Sequence, residues 1–416
     1  MSIQQKQLNI GLFGFGVVGE GLYKVLNQTT SLNATIKKVC IKHPEKKREA
    51  PEELFTVYPE ILLSDSSINV IVELIDDADA AFEITKKALK AGKAVVSANK
   101  KMIAEHLPEL LQLQKEYNTP LLYEAACCAS IPVIRNLEEY YDNDLLAGIS
   151  GIVNGSTNYI LTKVFEDNLS YHDALLDAQC EGFAESNPTL DVEGIDAVNK
   201  LSIILAHTYG IVERPSFIVH TGIQNINEHD AVYAREKGYE IKLVAQAQKL
   251  KDVKVAAFVL PQFVQPNNLL HRVKNEYNGV VIVSGLAEEQ FFYGKGAGSF
   301  PTASAVLSDI SALRYDYKYE YKKLNRENTP VLTDDYYLRV YASFDGLFNV
   351  PHDRFERIEE WASNEKRCSV TGIISCKQLA ESNWWKQKGT SLILLPDAFV
   401  DKLPEKKRVE EEVLFV

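Results

Sequence analysis

Residues 8–21 read Leu8-Asn9-Ile10-Gly11-Leu12-Phe13-Gly14-Phe15-Gly16-Val17-Val18-Gly19-Glu20-Gly21, an apolar run that leads into glycines and then into GLYKVLNQ, whose apolar residues have helical spacing. The run has the length of a strand, and Gly14, Gly16 and Gly19 fit the pattern G-x-G-x-x-G. There the first glycine permits a tight turn, the second lets backbone approach a pyrophosphate, and the third allows close helix packing. The helix that follows presents unpaired N–H groups to the anion. Gly14, Phe15, Gly16, Val17, Val18 and Gly19 are therefore the expected cofactor-binding turn.

Outward from this turn, strands are expected at residues 36–41, 70–74, 94–97 and 121–124, with a helix at 80–91. Alternation of strand and helix predicts a parallel sheet, so residues 1–135 read as an α/β, Rossmann-type doubly wound domain. From about residue 145 the pattern changes to a strand in GISGIVNG, helices near 159–165, 172–179 and 195–208, and strands near 253–260 and 279–283. That is a second, α+β domain over residues 136–320, from which a helix at 301–315 is expected to return to the first. The charged, tyrosine-rich RYDYKYEYKKLNREN reads as a boundary, and YYLRVYASF, CSVTGIIS and SLILLP as strands of a small unit at 330–416.

A chain of 416 residues suits two or three domains at about 150 residues each. With 45 Lys and Arg against 57 Asp and Glu, the net charge of −12 repels phosphate backbones, so nucleic acid is not an expected partner. No apolar run approaches the ~18 residues of a membrane span and no secretion signal opens the chain, which predicts a cytoplasmic protein without membrane contact. The six cysteines form no C-x-x-C pair and the eight histidines show no metal-ligand spacing, so free thiols are expected and a four-ligand zinc site is not.

The acid that usually holds a cofactor ribose is missing from residues 36–44. The second strand instead ends in Cys40-Ile41-Lys42-His43, followed by Lys46, Lys47 and Arg48. Cations without a competing carboxylate suit a 2′-phosphate, which favours NADP, with NAD as the alternative. Asn99-Lys100 follows the strand at 94–97, where ligands of open α/β sheets bind. In the stretch QCEGFAESNPTLDVEGIDAVNK, Asp196 and Lys200 are i and i+4 on a helix that is apolar on most sides. A lysine desolvated beside an aspartate is expected to exchange protons near neutral pH.

GFGVVGEG, KAVVSANKKMIAEH, YEAACCASIPVIRNL, GIVNGSTNYILTKV, AQCEGFAESNPTLDVEGIDAVNKLSIILAHTYG and GKGAGSFPTASAVLSDI, in this order over residues 8–315, resemble the homoserine dehydrogenase family. The resemblance implies interconversion of L-homoserine and L-aspartate 4-semialdehyde within threonine and methionine biosynthesis. It makes Lys200 the acid/base, with Lys100 sharing the proton work and touching the cofactor. Glu185 and Asp196 would hold the substrate ammonium, and Gly182 and Gly298 would contact the cofactor beside Lys42. It further implies a monovalent cation, usually sodium, held by Glu124, Cys127, Ala129 and Ile131, and a homodimer. Three departures accompany it: Ile75-Asp76-Asp77-Ala78 replaces a glycine pair, Cys127-Cys128-Ala129-Ser130 replaces a glycine-rich turn, and a Pro-Gly turn is absent from FDGLFN at 344–349. The adjacent cysteines predict sensitivity to thiol oxidation. The last departure makes the C-terminal unit a degenerate ACT-like domain, where control by threonine is expected. Two rivals stand beside this reading: a non-catalytic regulator that senses a dinucleotide and an amino acid, and a dehydrogenase for another small amino alcohol. Retention of Lys100, Glu185, Asp196 and Lys200 together speaks against the regulator.

Overall fold

The run that opens the fingerprint forms β1 (Leu8–Phe13), whose side chains are buried except for half-buried Asn9, as expected inside a parallel sheet. The computed structural model describes residues 6–143, 145–346, 351–363 and 366–400. From β1 the chain continues through α1 (Val17–Gln28), β2 (Ala34–Cys40), β3 (Phe55–Thr56), α2 (Pro59–Ser64), β4 (Val70–Glu73), α3 (Ala78–Lys90), β5 (Ala94–Ser97), α4 (Lys100–Tyr117) and β6 (Leu121–Leu122). These strands pair in parallel in the order β3-β2-β1-β4-β5-β6. The order reverses between β1 and β4, and the crevice past their carboxyl ends is where open α/β sheets bind ligands. The expected dinucleotide-binding fold is thereby realised.

The chain goes on through α5 (Val133–Glu139), β7 (Leu146–Ile152), α6 (Gly155–Glu166), α7 (Tyr171–Cys180), α8 (Thr189–Val192), α9 (Ile195–Tyr209), β8 (Val219–His220), α10 (Glu228–Glu236), β9 (Glu240–Lys249) and β10 (Lys254–Val264). After β11 (Tyr277–Ser284) and β12 (Glu288–Lys295) come α11 (Ser299–Leu313) and β13 (Val331–Leu332). The sheet here is mixed: β12-β11-β7-β9-β10 pair antiparallel, and β8 and β13 join β10 in parallel. Sequence reading passed over β9 because EIKLVAQAQK is rich in helix formers. Ladder bonds to β7 on one side and β10 on the other decide it as a strand.

Every residue of α9 from Asp196 to Tyr209 is buried. The helix packs on α4 from the parallel-sheet region and on β9 and β10 of the mixed sheet. Burying Leu201, Ile203, Ile204 and Leu205 there contributes about 1.5–3 kcal/mol each. The helix is thus anchored firmly enough to carry two buried charges on its first turns. Helix α11 returns to α1, where Ser299 Oγ donates to Val17 O at 2.7 Å.

The tyrosine-rich segment ahead of the C-terminal unit is packed. Its alternation turns Tyr319 and Tyr321 inward, 3% and 9% exposed. The Tyr321 hydroxyl meets that of Tyr123 at 3.0 Å, and Lys323 Nζ donates to Leu137 O and His207 O, both at 2.6 Å. The two compact units divide later, as Met1–Thr333 and Asp334–Val416. In the second, β14 (Tyr337–Asp345), β15 (Arg357–Ser363), β16 (Arg367–Ser375) and β17 (Thr390–Val400) form an antiparallel sheet, ordered β17-β14-β16-β15, with α12 (Cys376–Glu381) between the last two strands in the chain. Part of the FDGLFN turn lies outside the described residues.

Candidate active site

Gly14 has φ 91°, and a Cβ there would sit 2.6 Å from Leu74 O; one on Gly19 would sit 2.4 Å from Gly14 O. Neither position admits a side chain. Gly16 differs, because a Cβ on it would meet nothing within 4 Å. Its backbone therefore faces open space at the N-terminus of α1, the cradle that a pyrophosphate requires. Phe15 is buried edge-to-face against Phe55, with ring centroids 5.1 Å apart, which fixes the turn.

A cavity of about 790 Å³ opens beside this turn. Val17 and Val18 form one wall, Ile75 and Asp76 from the end of β4 another, and Lys100, Asp196 and Lys200 the far side. Gly182, Glu185 and Gly298 also line it, so the structure gathers the expected catalytic and substrate-binding residues and part of the expected cofactor set around one space. Lys42 does not line this cavity and is exposed on the loop after β2. In that loop Arg48 donates to Lys46 O and His43 O, both at 2.7 Å, and lies 5.5 Å from the centre of the Phe55 ring. The cationic loop is thereby held against the aromatic pair that fixes the glycine turn.

Lys100 owes its place to caps and strand ends. Asn99 Oδ1 accepts from Met102 N at 2.9 Å and so starts α4, while Asn99 Nδ2 donates to Ile75 O at 3.0 Å. Behind them Ser97 Oγ donates to the buried Glu73 at 2.5 Å, and burial pushes that carboxyl up to about 7. Lys100 Nζ consequently lies 2.7 Å from Asp196 Oδ1. Lys200 Nζ donates to Asp196 Oδ2 at 2.8 Å and to Val153 O at 2.6 Å, with its side chain 8% exposed.

Burial opposes the ionisation of Asp196, but the ammoniums of Lys100 and Lys200 outweigh it and hold the carboxyl well below its usual range. Burial likewise works against the Lys200 ammonium, yet Asp196 prevails and raises it above an ordinary lysine. The expectation of proton exchange near neutral pH is corrected here, because the ion pair beats desolvation and keeps Lys200 protonated. Asp196 thus meets an ammonium on each oxygen, Lys100 at Oδ1 and Lys200 at Oδ2.

Motif reading passed over Asp191, which lines the same cavity. Its carboxyl is raised by burial and by the neighbouring Asp196, and Asn154 Nδ2 donates to it at 2.7 Å. Its place three residues after Pro188, just ahead of the α9 start, was the available signal. The N-terminus of α6 also reaches the cavity through Gly155 and Ser156. Ser156 Oγ donates to Phe183 O at 2.6 Å, which ties α6 to the loop that carries Glu185.

Glu124 is buried, and its carboxylate accepts from Ile134 N at 2.9 Å and Arg135 N at 2.8 Å. Burial, together with nearby Asp309, pushes it up to about 8. In the turn that follows, Cys128 and Ala129 take φ of 55° and 39°, so the left-handed backbone of a glycine turn is kept without glycine. Burial pushes both thiols up, Cys128 to about 11, so they stay protonated, and the environment argues against the expected reactivity. Among the described residues no group of three or more His, Cys, Asp or Glu could hold a metal ion, and no helix is long and apolar enough to cross a membrane.

A glycine turn open to an anion, with a buried ammonium held by a carboxylate across one cavity, meets the two needs of a nicotinamide-dependent dehydrogenase: a seat for the dinucleotide and a handler for a hydroxyl proton. Comparison with known proteins narrows that class. Family models described as the homoserine dehydrogenase NAD-binding domain and as homoserine dehydrogenase match residues 14–124 and 132–311. The homoserine dehydrogenase of Helicobacter pylori is 38% identical over 313 residues, 74% of this chain and 73% of that protein. That of Bacillus subtilis is 36% identical, with 74% and 73% covered. The crystal structure of a homoserine dehydrogenase from Thiobacillus denitrificans matches with a TM-score of 0.80 at 27% identity, over 94% of this chain and 98% of that one. A hyperthermophilic archaeal homoserine dehydrogenase mutant in complex with NADPH matches with a TM-score of 0.63 at 26% identity, over 76% and 100%. The chain belongs to the homoserine dehydrogenase family and is an oxidoreductase acting on a CH–OH group.

Proposed function

We propose that this enzyme interconverts L-homoserine and L-aspartate 4-semialdehyde with Lys200 as the proton donor and acceptor. The observation that carries this reading is the Lys100–Asp196–Lys200 cluster, 2.7 and 2.8 Å across its two pairs, in the wall of the cavity beside the glycine turn. The nicotinamide, when bound, supplies or removes the hydride. Lys200 gives its proton to the aldehyde oxygen as charge develops there, and Asp196 holds the ammonium in place. Lys100 adds positive charge beside that oxygen. Glu185 and Asp191, not committed to a lysine as Asp196 is, take the substrate ammonium, and the N-terminus of α6 suits the substrate carboxylate.

A protonated Lys200 gives the two directions different pH dependences. Reduction of the semialdehyde is expected to be near its full rate around neutral pH. Homoserine oxidation needs the neutral amine, so its rate is expected to climb about tenfold per pH unit between about pH 8 and 10. Following nicotinamide absorbance with each substrate tests both the activity and the role, and oxidation that is flat across that range would refute the assignment.

NADP is the proposed cofactor, its 2′-phosphate taken by Lys42 and Arg48. A Lys42→Ala/Arg48→Ala double variant is expected to raise the KM for NADPH by about 10–100-fold while changing that for NADH less than about threefold. Equal changes for both would count against it.

A monovalent cation such as sodium, held by Glu124, Cys127, Ala129 and Ile131, suits the local charge. The Arg135 guanidinium pairs with Asp309 at 2.8 Å while Glu124 is met by the backbone N–H groups of Ile134 and Arg135, so a bound cation would favour the ionised form of Glu124 that burial opposes. Such a cation would also brace the turn next to Lys200, whose carbonyl lies 3.9 Å from Cys127 Sγ. A homodimer is the proposed assembly. The strand order of the C-terminal unit, with its fourth, first, third and second strands side by side, supports an ACT-like reading. His352–Arg354 is the short 3-10 turn between its first two strands.

A further inference from the structure

Asn154 has no task in the reading above. It lies between the end of β7 and the start of α6, 5% exposed, and it lines the cavity. Its Oδ1 accepts from Thr157 N at 2.9 Å and so caps α6. Its Nδ2 gives both hydrogens to carboxylates, at 2.7 Å to Asp191 Oδ1 and 2.8 Å to Asp196 Oδ2. The carbonyl just before it, Val153 O, receives Lys200 Nζ.

Two carboxylates that face one cavity repel each other, and nothing in their own backbones fixes their separation. A primary amide has two N–H donors in one plane, so it can bind both and set their distance. Here the same amide caps the helix whose N-terminus faces the cavity. One side chain therefore registers three elements: the loop carrying Asp191, the first turn of α9, and the start of α6.

We propose that Asn154 is a positioning residue that holds Asp191 and Asp196 side by side, so that a substrate ammonium on Asp191 and a substrate oxygen on Lys200 are presented in one geometry. The inference rests on the assignment of Lys200 and Asp191 made above. The charged groups facing Asp191 are Asp196, Lys200 and Lys100. Asn154 favours its ionised form against the repulsion of Asp196.

The test uses Asn154→Ser and Asn154→Asp, because serine and aspartate are both good N-caps and preserve α6. Serine is too short to bridge the two carboxylates, and aspartate has no N–H and adds a third negative charge. For Asn154→Ser the expected result is an about tenfold lower kcat and an about tenfold higher homoserine KM, with the NADPH KM and thermal midpoint little changed. The acid limb of kcat/KM is expected to move to higher pH, since Asp191 has lost a donor. Asn154→Asp is expected to lose more in both constants. An Asn154→Ser enzyme with wild-type kcat, homoserine KM and pH profile would overturn the proposal, as would a loss that tracks the unfolded fraction alone. Wild-type enzyme that does not turn over homoserine would remove the functional reading and this inference with it; an active wild type and an equally active Asn154→Ser removes only the inference.

Discussion

Replacing Lys200 with alanine lowers the turnover of semialdehyde reduction by about 1,000-fold, within the range of about 100 to 10,000 that positioned acid–base groups contribute. Binding of NADPH changes little, because Lys200 lies across the cavity from the glycine turn and its contacts are Asp196 and Val153 O. Steady-state kinetics with a direct titration of cofactor separates the two effects. A variant that keeps more than about a tenth of wild-type turnover would strip Lys200 of its role. Loss of the ammonium also leaves Asp196 with Lys100 as its one lysine, so some of the fall reflects a shifted carboxylate.

Asp196→Asn has the second large effect, and it reaches both stability and pH dependence. The native pair places one carboxylate between two ammoniums, with Asp196 4% and the Lys200 side chain 8% exposed. Removing one partner of a buried ion pair leaves an uncompensated charge, at a cost of about 3–5 kcal/mol. Because the Asp196 carboxyl is lowered in the fold, its stabilisation is present above the unfolded value of about 3.9 and is lost as pH falls through the folded one. Because Lys200 is raised, its contribution is present below about 10.4 and is lost as pH rises through the folded value. Denaturant unfolding near neutral pH therefore exposes the full deficit of Asp196→Asn. The same change frees the Lys200 proton, so the alkaline rise of homoserine oxidation moves to lower pH while reduction at neutral pH slows by about 100-fold. An unmoved profile would mean that Asp196 does not govern Lys200.

Much of the fold is legible in residue order. The fingerprint turn is local, its glycines demanded by φ at Gly14 and by contact at Gly19. The strands at β4 and β5 are short apolar runs whose burial on both faces leaves no other reading. The strand β9 was hidden because its residues favour a helix, and only its neighbours overrule them. In the tyrosine-rich segment charge alternates with rings, and which rings turn inward, as Tyr319 and Tyr321 do, depends on the surface that receives them.

The candidate site divides in the same way. The spacing of Asp196 and Lys200 and the glycines at 14, 16 and 19 follow from the chain alone, since helix pitch and backbone freedom are local properties. The burial around the Asp196–Lys200 pair, the approach of Lys100 to Asp196, the entry of Asp191 and the bridging by Asn154 came only with tertiary structure. Each depends on side chains supplied by separate elements, and a buried charge titrates by the environment the fold supplies as well as by its neighbours in sequence.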